Sequence, residues 1–182
     1  MTLLTPTPIK KNARFYGVNL LCELDTAGEY YIDSTNGTLY FYPHDELQHW
    51  KANSVVLTTN QSALNISGVS HHAFEQMEIR DSQGVGILAE GVTDVTLDGL
   101  VSANHGTHGI VISGDGYTVQ GSTVRDTGCV GIQSTGGDTR QLKGGSNLVH
   151  RNTVRSNALW KRTYVIHLAP AILQILMFAC SR

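Results

Sequence analysis

Four groups of side chains in this 182-residue chain have types and spacings that suit acid–base chemistry or contact with a sugar. Asp81, Asn104 and Asp126 stand 23 and 22 residues apart, and Asp115 in SGDG stands 23 residues before Asp138 in TGGD. Paired carboxyls can cleave a glycosidic bond, one as the acid that protonates the leaving oxygen, the other as nucleophile or as base for a water. His105 and His108 flank Gly106-Thr107 beside Asn104, and an imidazole that titrates near neutral pH can act as acid, base or hydroxyl partner. Trp160, Lys161, Arg162 and Tyr164 set flat rings among cationic donors, as a platform under a sugar ring would.

The carboxylate spacing belongs to a repeat. The tract GIVISGDG begins at Gly109, is prefigured by GILAEGV at Gly86 and recurs as GIQSTGGD at Gly131. A second series begins at Phe74, Leu97, Val119 and Val149, with intervals of 23, 22 and 30 residues. The last interval is longer because residues 138–145, DTRQLKGG, read as an insertion. A period near 22 with several short strand signals and no helical pattern predicts a β-solenoid, whose repeats bury their apolar faces on one another. Strand signals begin at 53–67 with VVLTT and ALNIS, and coils follow at about 68–91, 92–114, 115–136 and 147–157. Ile79, Ser102, Val124 and Val154 should form one inward ladder, and Ile87, Ile110 and Ile132 another. Ser102 must then hydrogen-bond in the interior.

Stacking turns sequence spacing into distance. Successive coils lie about 4.8 Å apart, which places Asp81 and Asp126 about 9.6 Å apart, at the far end of the roughly 6.5–9.5 Å of an inverting pair. Asp115 and Asp138 fall on adjacent coils, near the roughly 5 Å of a retaining pair. The competing reading for all four is conformational, since Asp and Asn cap turns through backbone hydrogen bonds. The two histidines have a competing reading as solvent-exposed turn residues. Asp138 opens the inserted loop with Arg140 and Lys143, and such loops on a rigid scaffold are where sites gather.

Composition narrows the classes. The formal net charge is −2 and no basic stripe points to nucleic acid. Cys22, Cys129 and Cys180 are too few and too scattered for a disulfide framework or a zinc knuckle, so no metal site is expected. The first residues lack a signal-peptide pattern, while the sequons at Asn36, Asn60 and Asn65 are compatible with a secreted or extracellular parent protein. Residues 165–180, VIHLAPAILQILMFAC, are too short and too interrupted by Pro170 and Gln174 for a membrane span of about 20 residues. They read as a capping helix or end strand, or as a tail foreign to the fold. Residues 29–42 carry two aromatic-rich strand signals around Asn36-Gly37, a hairpin pattern. The implied division is a lead and hairpin over 1–52, coils over 53–164, and a tail over 165–182.

The repeat resembles the right-handed parallel β-helix family of the pectin-lyase-like superfamily. The pairing of ELDTAGEYYIDSTNGTLYFYP (23–43) with GIQSTGGDTRQLKGGSNLVHRNTV (131–154) and WKRTY (160–164) is similar to large β-helix proteins described as carbohydrate-active enzymes. In these, a stretch like LDxPGEWYxDxxxGxLYxxP precedes the coils and a GGDR turn lies within them. Ala27 stands where the pattern has proline, and Thr139 separates Asp138 from Arg140. The resemblance covers residues 15–164 and implies a fragment of a polysaccharide-processing protein. It points to a glycosidase, less to a lyase with Arg140 or Lys143 as base and bound calcium, and otherwise to no cofactor.

The expected catalytic groups are Asp138, Asp126, Asp115 and His108, with Trp160, Arg162, Tyr164, Arg140 and His105 contacting a polysaccharide, in a monomer. The rival readings are a non-catalytic glycan-binding or structural module and an inactive truncated product. Convergence of Asp126, Asp138 and His108 on one groove would favour the enzyme, and scattered carboxylates would favour the module.

Overall fold

The computed structural model describes residues 17–43, 56–138, 140–161 and 168–170. The chain forms two compact units, residues 1–55 and 56–182.

In the first unit, β1 (Tyr30–Asp33) and β2 (Thr38–Phe41) make the expected antiparallel hairpin, with Tyr31 opposite Tyr40. Its turn is locked by Asp33, whose carboxylate accepts the amides of Thr35 and Asn36 and the Asn36 side-chain amide at 2.7–3.2 Å. Asn19 pairs with both the N–H and the C=O of Ile32, in the manner of a third strand.

The second unit is the solenoid. Its strands are β3 (Ser62–Asn65), β4 (Ser70–Glu75), β5 (Glu78–Ser82), β6 (Val85–Asp98), β7 (Val101–His105), β8 (Ile110–Asp115), β9 (Thr118–Gln120), β10 (Thr123–Thr127), β11 (Ile132–Thr135), β12 (Leu148–His150), β13 (Thr153–Arg155) and β14 (Leu168–Pro170). All pair in parallel between coils and form three faces. The first face stacks β3, the start of β6, β8, β11 and β14; the second stacks β4, the end of β6, β9 and β12; the third stacks β5, β7, β10 and β13. The long β6 runs round the corner between the first and second faces, with a register shift between Ala89 and Val92.

The ladders are those the repeat predicts. Ile87, Ile110 and Ile132 lie in register and are fully buried; on the second face Phe74, Leu97, Val119 and Val149 are in register, with Leu97 and Val119 fully buried, Val149 nearly so and Phe74 partly buried. On the third face Ile79, Ser102, Val124 and Val154 are in register, and buried Ser102 donates to the Gly109 carbonyl at 3.0 Å. Each buried Ile or Val contributes roughly 1.5–3 kcal/mol through removal from water. The first coil differs from expectation at one point. The described part of VVLTT, residues 56–59, forms no strand, because inter-coil pairing begins only where the Asn60 and Gln61 carbonyls accept Gln83 and Val85. Leu168–Pro170 does pair, with Ile132–Ser134, so part of the apolar tail joins the first face. The remaining tail residues lie outside the described ones.

Candidate functional site

Each of the three corners of the coil contains a column of residues in the left-handed region. Asp81, Asn104, Asp126 and Ser156 have φ of 60, 60, 56 and 50° at the corner between the third and first faces. His71, Asp94, Gly116 and Ser146 form the column between the first and second faces, and Gln76, Gly99, Gly121 and Arg151 the one between the second and third. Outside glycine, Asn and Asp are the residues that tolerate this conformation best. The expected acid pair of Asp81 and Asp126 is therefore better explained by backbone geometry. The Asn104 amide, from the coil between them, donates to Asp81 Oδ1 at 2.6 Å. The Arg125 guanidinium holds Asp126.

The left-handed bend turns the next residue of each coil back into the interior. Ser82, His105 and Thr127 are in register and almost fully buried. This corrects both expectations for His105: at 2% exposure it is neither a solvent-facing turn residue nor a sugar ligand. Its Nδ1 lies 2.8 Å from Ser82 Oγ, and Ser82 donates to the Gly84 carbonyl at 3.3 Å. A side chain on Gly86 would collide with the imidazole, and one on Gly109 with Val124 and Thr127. The repeated glycine is thus an inward position kept open for its neighbours.

Two residues beyond Gly106, His108 is half-buried at the surface of this corner. Burial, and then the nearby Lys161 charge, hold its imidazole below the ordinary 6.5. The Trp160 and Lys161 amides both donate to the Gly128 carbonyl, at 3.0 and 2.9 Å, which fixes the last described coil against the one before. Trp160 remains 55% exposed, and its ring lies where a side chain on Gly128 would begin. Arg162 and Tyr164 lie outside the described residues.

Asp115 and Asp138 belong to another corner, between the first and second faces. Asp115 is exposed, and its Oδ1 accepts the Gly137 amide at 3.3 Å. Asp138 accepts the amides of Arg140 and Gln141 at 2.8 and 3.3 Å, while its own backbone pairs with Lys143 in both directions. Asp138 and Lys143 thus close a tongue whose opening is capped by Asp138, with Arg140 and Lys143 exposed on it. Asp126 and Asp138 lie at different corners, at opposite ends of the first-face strand β11. Among the described residues, no three His, Cys, Asp or Glu side chains gather closely enough to hold a metal ion. No described helix is long and apolar enough to cross a membrane.

Some structural residues gave no obvious signal. Tyr117 is fully buried and its hydroxyl reaches Ser134 Oγ at 2.6 Å and the Thr135 carbonyl at 3.0 Å. Asn147 accepts the Tyr117 amide and donates to Gly114, and Asn152 accepts the Ser122 amide and donates to Val119, at 2.8–3.2 Å. The five-residue interval between these asparagines matches the step from one corner of the last described coil to the next.

Parallel pairing, three faces and inward ladders on each face define the class: a parallel β-solenoid. Residues 12–169 match the family described as a right-handed β-helix region, and the chain belongs to that family. Comparison with curated proteins and with solved structures gave no match.

Proposed function

We propose that this β-helix module handles polysaccharide, and that the described coils do so by binding a glycan rather than by cleaving it. The observation that carries this reading is the contrast between the two corners. The carboxylates are engaged in turn and ladder hydrogen bonds and divided between corners, whereas Trp160 stands exposed beside Lys161 and half-buried His108. A sugar ring would stack on the indole, and Lys161 and His108 would meet its hydroxyls. The reading carries a secreted or extracellular setting for the parent protein and needs no cofactor.

Hydrolysis is the second reading, and one observation favours it: Asp115 and Asp138 occupy the same corner on adjacent coils, about 5 Å apart by stacking, the spacing of a retaining pair. Electrophoresis through gels cast with a panel of polysaccharides, together with a reducing-sugar assay, separates the two. Retardation that Trp160→Ala removes, with no sugar released, supports binding. Sugar release that Asp115→Asn or Asp138→Asn abolishes overturns it in favour of hydrolysis.

A further inference from the structure

We infer that His105 is an acid-sensitive pin, which holds the corner beneath the Trp160 and His108 shelf closed while its imidazole is neutral. His105 Nδ1 and Ser82 Oγ hydrogen-bond at 2.8 Å, and Ser82 Oγ also lies 3.3 Å from the Gly84 carbonyl. Nε2 is buried without a hydrogen-bond partner against Gly86. The nearby Gly109 carbonyl already accepts the Ile87 amide and the Ser102 hydroxyl. A second ring proton would put a positive charge on a buried imidazole, a costly state in a dry interior.

The groups around the ring do not reverse this. On β5, Asp81 and the Ile79 carbonyl favour the charged form, but burial outweighs both and keeps the imidazole below its ordinary 6.5. On β10, the residue in register is the uncharged Thr127, and the adjacent Asp126 is held by Arg125. Asn104 precedes His105 on β7, and Gly84, Gly86 and Gly109 at the starts of the first-face strands bring no charge. A histidine depressed in the folded state takes up its proton later than the unfolded chain does. Its contribution is therefore fully present above about 6.5 and is lost as pH falls from there toward the folded value.

The His105 carbonyl accepts the Gly128 amide, and the Gly128 carbonyl holds Trp160 and Lys161, so a loosened corner releases the shelf. That consequence rests on the proposed glycan reading; the pin does not.

The test uses the whole chain from about pH 7.5 to about pH 5. Imidazole NMR should show one buried histidine that stays neutral through 6.5 while the fold persists, with melting temperature falling on acidification and the fall reduced in His105→Gln. Protection factors for amides 106–109 and 158–161 should drop several-fold at the acid end. An imidazole at His105 that titrates at 6.5 or above, or unchanged protection, overturns the pin, and the NMR arm needs no variant. Glycan retention that ignores pH while protection drops would count against the shelf as the glycan site and leave the pin standing.

Discussion

Gly86 and His105, on neighbouring coils, share one space: the imidazole lies where a side chain on Gly86 would begin. Gly86→Ala should therefore cost about 1–3 kcal/mol through overpacking. Combining it with His105→Ala should cost less than the sum of the single changes by the imidazole's share of the clash alone, since the Gly109 carbonyl would still stand 2.5 Å from the new methyl. Urea unfolding of the four members of the cycle measures this coupling.

The left-handed corner at Asp126 gives a test of conformation against chemistry. Asp126→Asn and Asp126→Gly should unfold within about 0.5 kcal/mol of the native chain, since both accept φ of 56°. Asp126→Val should lose about 1–2 kcal/mol. Equal stability for the Val and Gly variants would remove the backbone explanation.

Asp138 closes the tongue through acceptor oxygens, a role an amide can also fill. Asp138→Asn should leave the melting temperature nearly unchanged, whereas Asp138→Ala should cost about 0.5–1.5 kcal/mol from the loss of the Arg140 and Gln141 contacts. Thermal melts of both variants decide it; a large loss in the Asn variant would mean that the negative charge itself matters.

Val124, fully buried between Ser102 and Val154, tests the ladder register. Val124→Asp would bury a charge with no partner and should unfold the coils, a loss of more than about 4 kcal/mol. Circular dichroism of a soluble, β-rich variant would contradict the register.

Tyr117 sets an alkaline limit. Burial raises its phenol above the ordinary 10, against smaller opposite pulls from Ser134, Asn147 and Thr135. The folded state holds this proton more tightly than the unfolded one, so the contribution is complete below about pH 10 and is lost as pH rises through the folded value. Tyr117→Phe should flatten the alkaline side of the stability curve. An unchanged slope would assign it to other groups.

The ladders were legible because a solenoid repeats its environment. Ile87, Ile110 and Ile132 meet the same neighbours, so the 22- to 23-residue period appears as repeated residue types, and even Ser102 could be assigned an interior hydrogen bond. The hairpin around Asn36-Gly37 was equally local. The roles of the carboxylates were not. Asp is chosen both for acid–base chemistry and for left-handed turns, and the φ values and the Asn104 amide beside Asp81 are what favour the turn reading. The burial of His105 had a faint trace, because Ser82 and Thr127 stand in its register and a glycine follows each member four residues later. The sequence by itself therefore determined the repeat, its inward ladders and the β-helix class, since these depend on periodic burial. Tertiary structure alone decided which polar residues face water, because left-handed residues at the corners break the strand alternation from which exposure would otherwise be read.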